Sequence, residues 1–227
     1  MKHILITGTG RAGTTLLVQL LTALDLDTGY TLDEAMHSVD LLARAGLEPN
    51  LKKDRLAQVV KAPGQADHIK RLLHSEGFEL EAAILPMRDL FAAAESRRNV
   101  HRLALEAGKN PTRQPGSLWK TTEPTQQEAQ LALQFYECLQ PIVASRAPVF
   151  MIDFPGFASD ASYLFNSLRP IFDIRGIAEE DVKSALRRVT KPELINNFSV
   201  SQERCAEATK SNKLSGGILS KFINRPS

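Results

Sequence analysis

Residues 4–17 read ILITGTGRAGTTLL, an apolar strand pattern that runs into three glycines and then into an amphipathic helix pattern. Glycine permits the backbone bends that turn successive N–H groups toward one point. The first turn of the following helix adds unpaired amides and the positive end of the helix dipole. We therefore predict that the turn between this strand and this helix binds a phosphate or a similar anion.

The side chains of this loop narrow the choice of nucleotide. Residues 8–15 fit the spacing of an ATP- or GTP-binding loop, except that Thr14 stands where such a loop has a lysine. That lysine normally reaches the β- and γ-phosphates. The cation of this loop lies earlier, at Arg11. The sequence therefore disfavours an ordinary triphosphatase.

A second strand followed by a charged turn lies further along the chain. Residues 82–87 form the apolar run AAILPM, and RDLFAAAESRR follows at 88–98 as the beginning of a helix. Arg88 and Ser96 are eight positions apart, and Arg98 follows two positions later. Charged residues on a helix are usually solvated, so this spacing alone is a weak signal. The same spacing directly after a predicted strand, in a chain that also has the glycine loop, is a more specific indication of a phosphate site than the spacing alone.

Together the two motifs resemble those of sulfotransferases that use 3′-phosphoadenosine 5′-phosphosulfate (PAPS), in particular the bacterial members. The glycine loop is similar to their 5′-phosphosulfate loop, [KR]-S-G-T-T, with Ala12 in place of serine. Residues 88–98 are similar to their 3′-phosphate motif, R-D-P-x5-S-x-R, with Leu90 in place of proline. The resemblance covers roughly residues 2–195, although its specific residues lie in the first hundred. It implies that the nucleotide is bound by Gly10, Arg11, Ala12, Gly13, Thr14, Thr15, Arg88 and Ser96.

The resemblance also implies a transfer reaction and two cations that assist it. A sulfuryl group passes from PAPS to an acceptor hydroxyl, and 3′,5′-ADP leaves. Negative charge builds on the bridging oxygen as the S–O bond breaks, and loop amides, Arg11 and Lys61 would stabilise it. Lys61 ends the predicted strand 57–61, at a place where these enzymes often carry a lysine. No metal is expected, and the acceptor is a small molecule, a lipid or a glycan.

The proton acceptor for the hydroxyl is a separate question. Cytosolic members of the family have a histidine two residues after the lysine, and this chain has Pro63 there. Carbohydrate sulfotransferases often use a glutamate after the first helix, which makes Glu34 the favoured candidate, with Asp33 and His37 beside it. A helix cap is an equally ordinary role for these residues. Two other functions stay open: a phosphotransferase that uses ATP in the same loop, and a catalytically silent nucleotide-binding protein.

Composition is that of an ordinary α/β enzyme. The chain has 227 residues, of which 43% are hydrophobic and 24% charged, so we expect one domain over residues 1–227. A net charge of +2 is too small to indicate nucleic acid or a membrane surface. Cys138 and Cys205 have neither disulfide-framework nor zinc spacing. With no signal peptide or membrane-spanning run, we expect a cytoplasmic protein of open oligomeric state.

The order of predicted elements favours a three-layer α/β/α fold with a central parallel sheet, which the resemblance places among P-loop nucleoside-triphosphate-hydrolase-like folds. Both phosphate motifs then lie at carboxyl ends of strands, where such sheets bind ligands. The predicted strands are 3–7, 57–61, 82–87 and 149–154, with a weaker one at 27–30. The predicted helices are 14–23, 33–45, 65–75, 90–107, 126–145 and 160–172. Residues 109–124, with Trp119, are expected to form a long loop, and 200–227 a flexible tail or a segment that covers the nucleotide.

Overall fold

In the part of the chain that the structure describes, four parallel strands form one sheet, in the order β2-β1-β3-β4. The computed structural model describes residues 1–40, 42–49, 56–62 and 69–195. The strands are β1 (Lys2–Ile6), β2 (Val59–Lys61), β3 (Glu79–Met87) and β4 (Val149–Asp153). The helices are α1 (Thr14–Ala23), α2 (Leu32–His37), α3 (Ile69–Leu73), α4 (Leu90–Glu106), α5 (Gln127–Ala144), α6 (Gly156–Ser159), α7 (Ala161–Asp173) and α8 (Glu179–Val189).

Helices pack on both faces of this sheet because successive strand residues point to opposite sides. Ile4 and Ile6 of β1 join a core with α1, α7 and α8, whereas Leu5 between them joins a core with α3 and α5. Cys138 lies fully buried in the second core, as its apolar helical pattern predicts. The α/β class and the parallel sheet flanked by helices are therefore confirmed.

The strand order determines where a ligand can bind. From β1 the chain moves to β2 on one side, and then returns across β1 to β3 and β4 on the other side. The order thus reverses between β1 and β3, and the carboxyl ends of these two strands diverge into a crevice. The glycine loop follows β1 and Arg88 follows β3, so both motifs lie at this crevice.

Some predicted elements are wrong or shorter than expected. The helix expected at 33–45 ends at His37, because Asp40 starts a turn in which its carboxylate accepts a hydrogen bond from the Ala43 amide at 2.6 Å. No strand forms at 27–30, where Asp27 accepts a hydrogen bond from the Gly29 amide in a turn. Residues 109–124 form the expected loop, apart from short 3-10 turns.

Parts of other predictions lie outside the described residues. The helix expected at 65–75 is seen as Ile69–Leu73, and residues 65–68 lie outside. The tail expected at 200–227 also lies outside, so the single-domain prediction over 1–227 stays a prediction. The described elements fall within one unit, Met1–Asn196. None of the described helices has the length and apolarity that a membrane span requires.

Gly13 joins the glycine loop to α1 in a way that requires the absence of a side chain. Its φ is +79°, and a Cβ there would lie 2.5 Å from Phe154 Cδ2 and 2.9 Å from Phe157 Cζ. We expect Gly13→Ala to lower the free energy of unfolding by about 2–5 kcal/mol, since a left-handed alanine costs about 1–2 and overpacking about 1–3. Denaturant unfolding monitored by circular dichroism measures this loss.

Gly77→Ala is the matched control, because Gly77 also has a φ of +79° but nothing within 4 Å of its added Cβ. Gly77→Ala should lower the free energy of unfolding by only about 1–2 kcal/mol, the cost of a left-handed alanine. Equal losses in the two variants would show that the contact with the two phenylalanines does not constrain the loop.

Candidate functional site

A cleft of about 740 Å³ opens at the carboxyl ends of β1 and β3. Its walls come from the glycine loop, the first turns of α1, the buried face of α4 and parts of residues 36–40 and 43–48. The loop residues Pro115, Gly116 and Trp119, and the end of α8, complete it. The volume falls in the usual range for small-molecule and cofactor sites.

The glycine loop adopts a conformation that turns its backbone toward this cleft. Gly8, Gly10 and Gly13 have φ values of +130°, +70° and +79°, and Arg11 is left-handed as well, at +61°. Gly10, Arg11, Gly13, Thr14 and Thr15 line the cleft. Ala12 does not, because its methyl group is buried in the core. The replacement of serine by Ala12 therefore removes no group from the described cleft wall.

The two sequence motifs meet at Arg11. Its Nε donates a hydrogen bond to Ser96 Oγ at 3.0 Å, and its Nη1 donates a short bond to the Ala43 carbonyl. Arg88 Nη1 donates to the Arg11 carbonyl at 3.3 Å. Ser96 is only 1% exposed, so this contact lies deep in the cleft. The structure thus brings Arg11, Arg88 and Ser96 together, as the spacing of the motifs implies.

Burial makes these positive charges costly. The pKa of Arg11 is lowered to about 10, mainly by desolvation and secondly by the charges of Arg88 and Arg44, while Asp40 opposes the shift. Burial also lowers the pKa of Arg88, with Asp89 opposing. A nearby negative charge favours the charged form of such a group, so the site is electrostatically suited to an anion.

Sequence reasoning counted a third arginine, Arg97, among a local group of positive charges but assigned it no role in binding. It is 5% exposed, and its two terminal nitrogens donate to the Ser117 carbonyl at 2.8 Å and the Thr9 carbonyl at 2.5 Å. Its guanidinium lies 5.7 Å from the centre of the Trp119 ring. Burial, and secondly the charge of Arg11, lower its pKa to about 9.

The arginine that the motif singled out, Arg98, lies elsewhere. Its guanidinium binds Glu95 at 3.0 Å and Glu128 at 2.5 Å, and it does not line the cleft. Helical periodicity carries the signal that distinguishes the two residues. Arg97 shares the buried stripe of Ala93, Val100 and Ala104, whereas Arg98 is one position out of phase.

Lys61 lies buried at the end of β2 and lines the cleft beside the first turn of α1. Its Nζ donates to Thr15 Oγ1 at 2.9 Å and, by a short bond, to the Gly46 carbonyl. Glu48 Oε1 accepts the third contact, at 2.9 Å. Desolvation lowers the pKa of Lys61, and the Glu48 carboxylate opposes that shift.

Glu34 does not face the cleft. Its carboxylate accepts hydrogen bonds from the Thr31 amide at 2.8 Å and the Thr31 hydroxyl at 2.9 Å, which lower its pKa. Thr31 and Glu34 form a capping box at the exposed start of α2, a role that the spacing T-x-x-E encodes. The prediction of Glu34 as a cleft base is therefore corrected. Among the described residues of the same region, His37, Asp40 and Glu48 line the cleft with side chains that can accept a proton.

Comparisons with known proteins supply no family for this chain. No protein-family model matches it, and a search of the curated proteins finds no significant match.

The pair of Lys61 and Glu48 allows a test of the cleft electrostatics. Glu48 is 45% exposed, so Glu48→Gln should destabilise the protein by about 1–2 kcal/mol at pH 7, less than for a fully buried pair. This loss of stability should shrink as the pH rises toward 10. The pKa of Lys61 is lowered in the folded state, so its neutral form becomes populated there, and neutral Lys61 gains nothing from the Glu48 carboxylate. Urea unfolding at a series of pH values measures the difference between variant and wild type.

Glu79→Gln is the control, since Glu79 pairs with Lys2 at 3.2 Å on the exposed surface. It should cost less than 1 kcal/mol at pH 7. A pH-independent loss for Glu48→Gln would contradict the assignment of Glu48 as the charge partner of Lys61.

Proposed function

We propose that this protein is a PAPS-dependent sulfotransferase with a P-loop-like α/β/α fold. The observation that carries the proposal is the meeting of Arg11, Arg88 and Ser96 in one cleft, at the point where the strand order reverses. The spacing of the two sequence motifs, read through their resemblance to sulfotransferase motifs, predicts the same three residues. Their desolvated charges suit a ligand that carries several phosphate or sulfate groups.

In this proposal the nucleotide is held at both ends. The amides at the start of α1, with Thr14 and Thr15, bind the 5′-phosphosulfate, and Arg88 with Ser96 binds the 3′-phosphate. In the free protein the guanidinium of Arg11 donates to Ser96 and to the Ala43 carbonyl. Nucleotide binding exchanges these bonds for bonds to the ligand, so Arg11 is the residue that moves most.

The transfer step also uses cleft residues. Lys61, fixed beside Thr15, stabilises the charge that develops on the phosphate oxygen as the bond to sulfur breaks. The acceptor hydroxyl loses its proton as its oxygen bonds to sulfur, so it needs a base within hydrogen-bond reach. Among the described cleft residues, Asp40, Glu48 and His37 are the groups of suitable chemistry.

Nucleotide selectivity tests the binding half of the proposal. We expect 3′,5′-ADP without magnesium to raise the melting temperature well above the effect of ADP or ATP, because ligand binding at about 100 times Kd adds roughly 2.7 kcal/mol of stability. Arg88→Gln and Ser96→Ala should weaken 3′,5′-ADP binding by about 10- to 100-fold, since each removes a hydrogen bond to a charged group. Thermal shift and isothermal calorimetry measure the two effects.

Arg102→Gln is the matched control for charge. Arg102 lies on α4 like Ser96, but its guanidinium pairs with Glu106 on the surface. This variant should bind 3′,5′-ADP as the wild type does. A stronger response to ATP with magnesium than to 3′,5′-ADP would favour the phosphotransferase instead.

Group transfer tests the catalytic half. Incubation with sulfur-labelled PAPS and a panel of sugars, lipids, phenols and small alcohols should move the label to an acceptor in the wild type. Lys61→Met should reduce the rate by about 10²- to 10³-fold, the effect of losing one donor to a developing negative charge, while 3′,5′-ADP binding persists. Tight 3′,5′-ADP binding without label transfer to any acceptor would favour the silent nucleotide-binding protein.

A further inference from the structure

Among the described residues, Arg97 is the one buried cation of this cleft that the proposed chemistry does not use. The guanidinium has no acceptor for its Nε among the described residues, and neither has Nε1 of Trp119, against which it lies. Both side chains line the cleft. A buried donor without an acceptor costs free energy, so this arrangement is more stable when a ligand supplies oxygen atoms.

Charge compensation differs among the three arginines. Asp40 opposes the shift in the pKa of Arg11, and Asp89 that of Arg88. No carboxylate among the described residues does so for Arg97, whose strongest charged neighbour is Arg11. Among the three arginines around Ser96, Arg97 is therefore the one without a compensating carboxylate in the described part of the chain.

The position of Arg97 is fixed before any ligand arrives. Its bonds to the Thr9 and Ser117 carbonyls tie it to the glycine loop and to the long loop, and the Trp119 ring covers it. Arg11, by contrast, is held by one hydroxyl and one carbonyl, those of Ser96 and Ala43. Arg97 is thus a permanent charge of the site, against which a ligand is selected.

We propose that Arg97 makes the 3′-phosphate subsite selective for a doubly charged phosphomonoester over a singly charged ester of the same shape. A terminal phosphate carries close to two negative charges at neutral pH, whereas its methyl ester carries one. With Asp40 and Asp89 offsetting the other two arginines, the second negative charge of the phosphate is the counterpart of Arg97. The inference rests on the proposed function, since it assumes that the 3′-phosphate binds at Arg88 and Ser96.

The test compares three probes by calorimetry at pH 8: 3′,5′-ADP, its 3′-phosphate monomethyl ester, and 5′-AMP. The wild type should prefer 3′,5′-ADP over the methyl ester by about tenfold or more, the range of a charge-assisted interaction. Arg97→Gln keeps donors but loses the charge, and its preference should fall to about threefold or less. Arg97→Lys restores the charge and should recover the preference.

Arg98→Gln is the matched control. It removes the same charge from the next residue of α4, where the side chain is held by Glu95 and Glu128 outside the cleft. Its preference for 3′,5′-ADP over the methyl ester should equal that of the wild type. If the effect of Arg97→Gln came only from losing a positive charge or from destabilising α4, Arg98→Gln would also change the preference for 3′,5′-ADP over the methyl ester.

The outcomes separate the two proposals. No binding of 3′,5′-ADP to the wild type would overturn the proposed function. Binding of 3′,5′-ADP with an unchanged preference in Arg97→Gln would overturn the role of Arg97 alone and leave it as a brace between loops. If Arg97→Gln does not fold, two other results can overturn the role of Arg97. One is that the wild type binds 3′,5′-ADP and the methyl ester with equal affinity. The other is that Arg97→Lys loses the preference for 3′,5′-ADP.

Discussion

The guanidinium of Arg11 joins the two parts of the chain on which the cleft depends. Arg11 lies in the glycine loop after β1, and its guanidinium donates a hydrogen bond to Ser96 on α4, the helix after β3. Arg88, at the end of β3, donates a hydrogen bond to the Arg11 carbonyl. These contacts connect residues 77 and 85 positions apart. They are possible because β1 and β3 are hydrogen-bonded neighbours, so that their carboxyl ends present both loops to the same crevice.

The same contacts place positive charges where water is scarce. A protein normally pairs a buried cation with a carboxylate, and Lys61 follows this rule through Glu48. The arginine cluster does not follow it to the same extent, since Arg11 and Arg97 donate their hydrogen bonds to a hydroxyl and to backbone carbonyls rather than to carboxylates. Side chains that destabilise the free protein are characteristic of functional sites, because a ligand of opposite charge relieves the cost.

The site residues that the sequence predicts correctly depend on local patterns, whereas those that it does not predict depend on tertiary structure. The glycine loop and the strand ends follow from local patterns, and the structure has them where those patterns predict them. The pairing of Arg88 with Ser96 came instead from the resemblance of residues 88–98 to a 3′-phosphate motif. Glu34 was misassigned because the residue types of a base and of a capping box are the same, and only its exposure and its bonds to Thr31 distinguish them. Arg97 depends on the rotational phase of α4, which the linear spacing of a motif does not express.

Lys61 has a carboxylate partner and Arg97 has none among the described residues, and this difference affects how the site discriminates between ligands. Because Glu48 already compensates Lys61, that lysine adds little net attraction for an anion and is suited to act locally, on the atom beside Thr15. Arg97 has no such partner among the described residues, so its charge acts on whatever enters the cleft. A ligand with too little negative charge leaves that cost unrelieved, and discrimination then arises from the penalty on the wrong ligand rather than from extra contacts to the right one. The buried position of Arg97 strengthens this effect, because low polarity around a charge increases both the penalty and its relief.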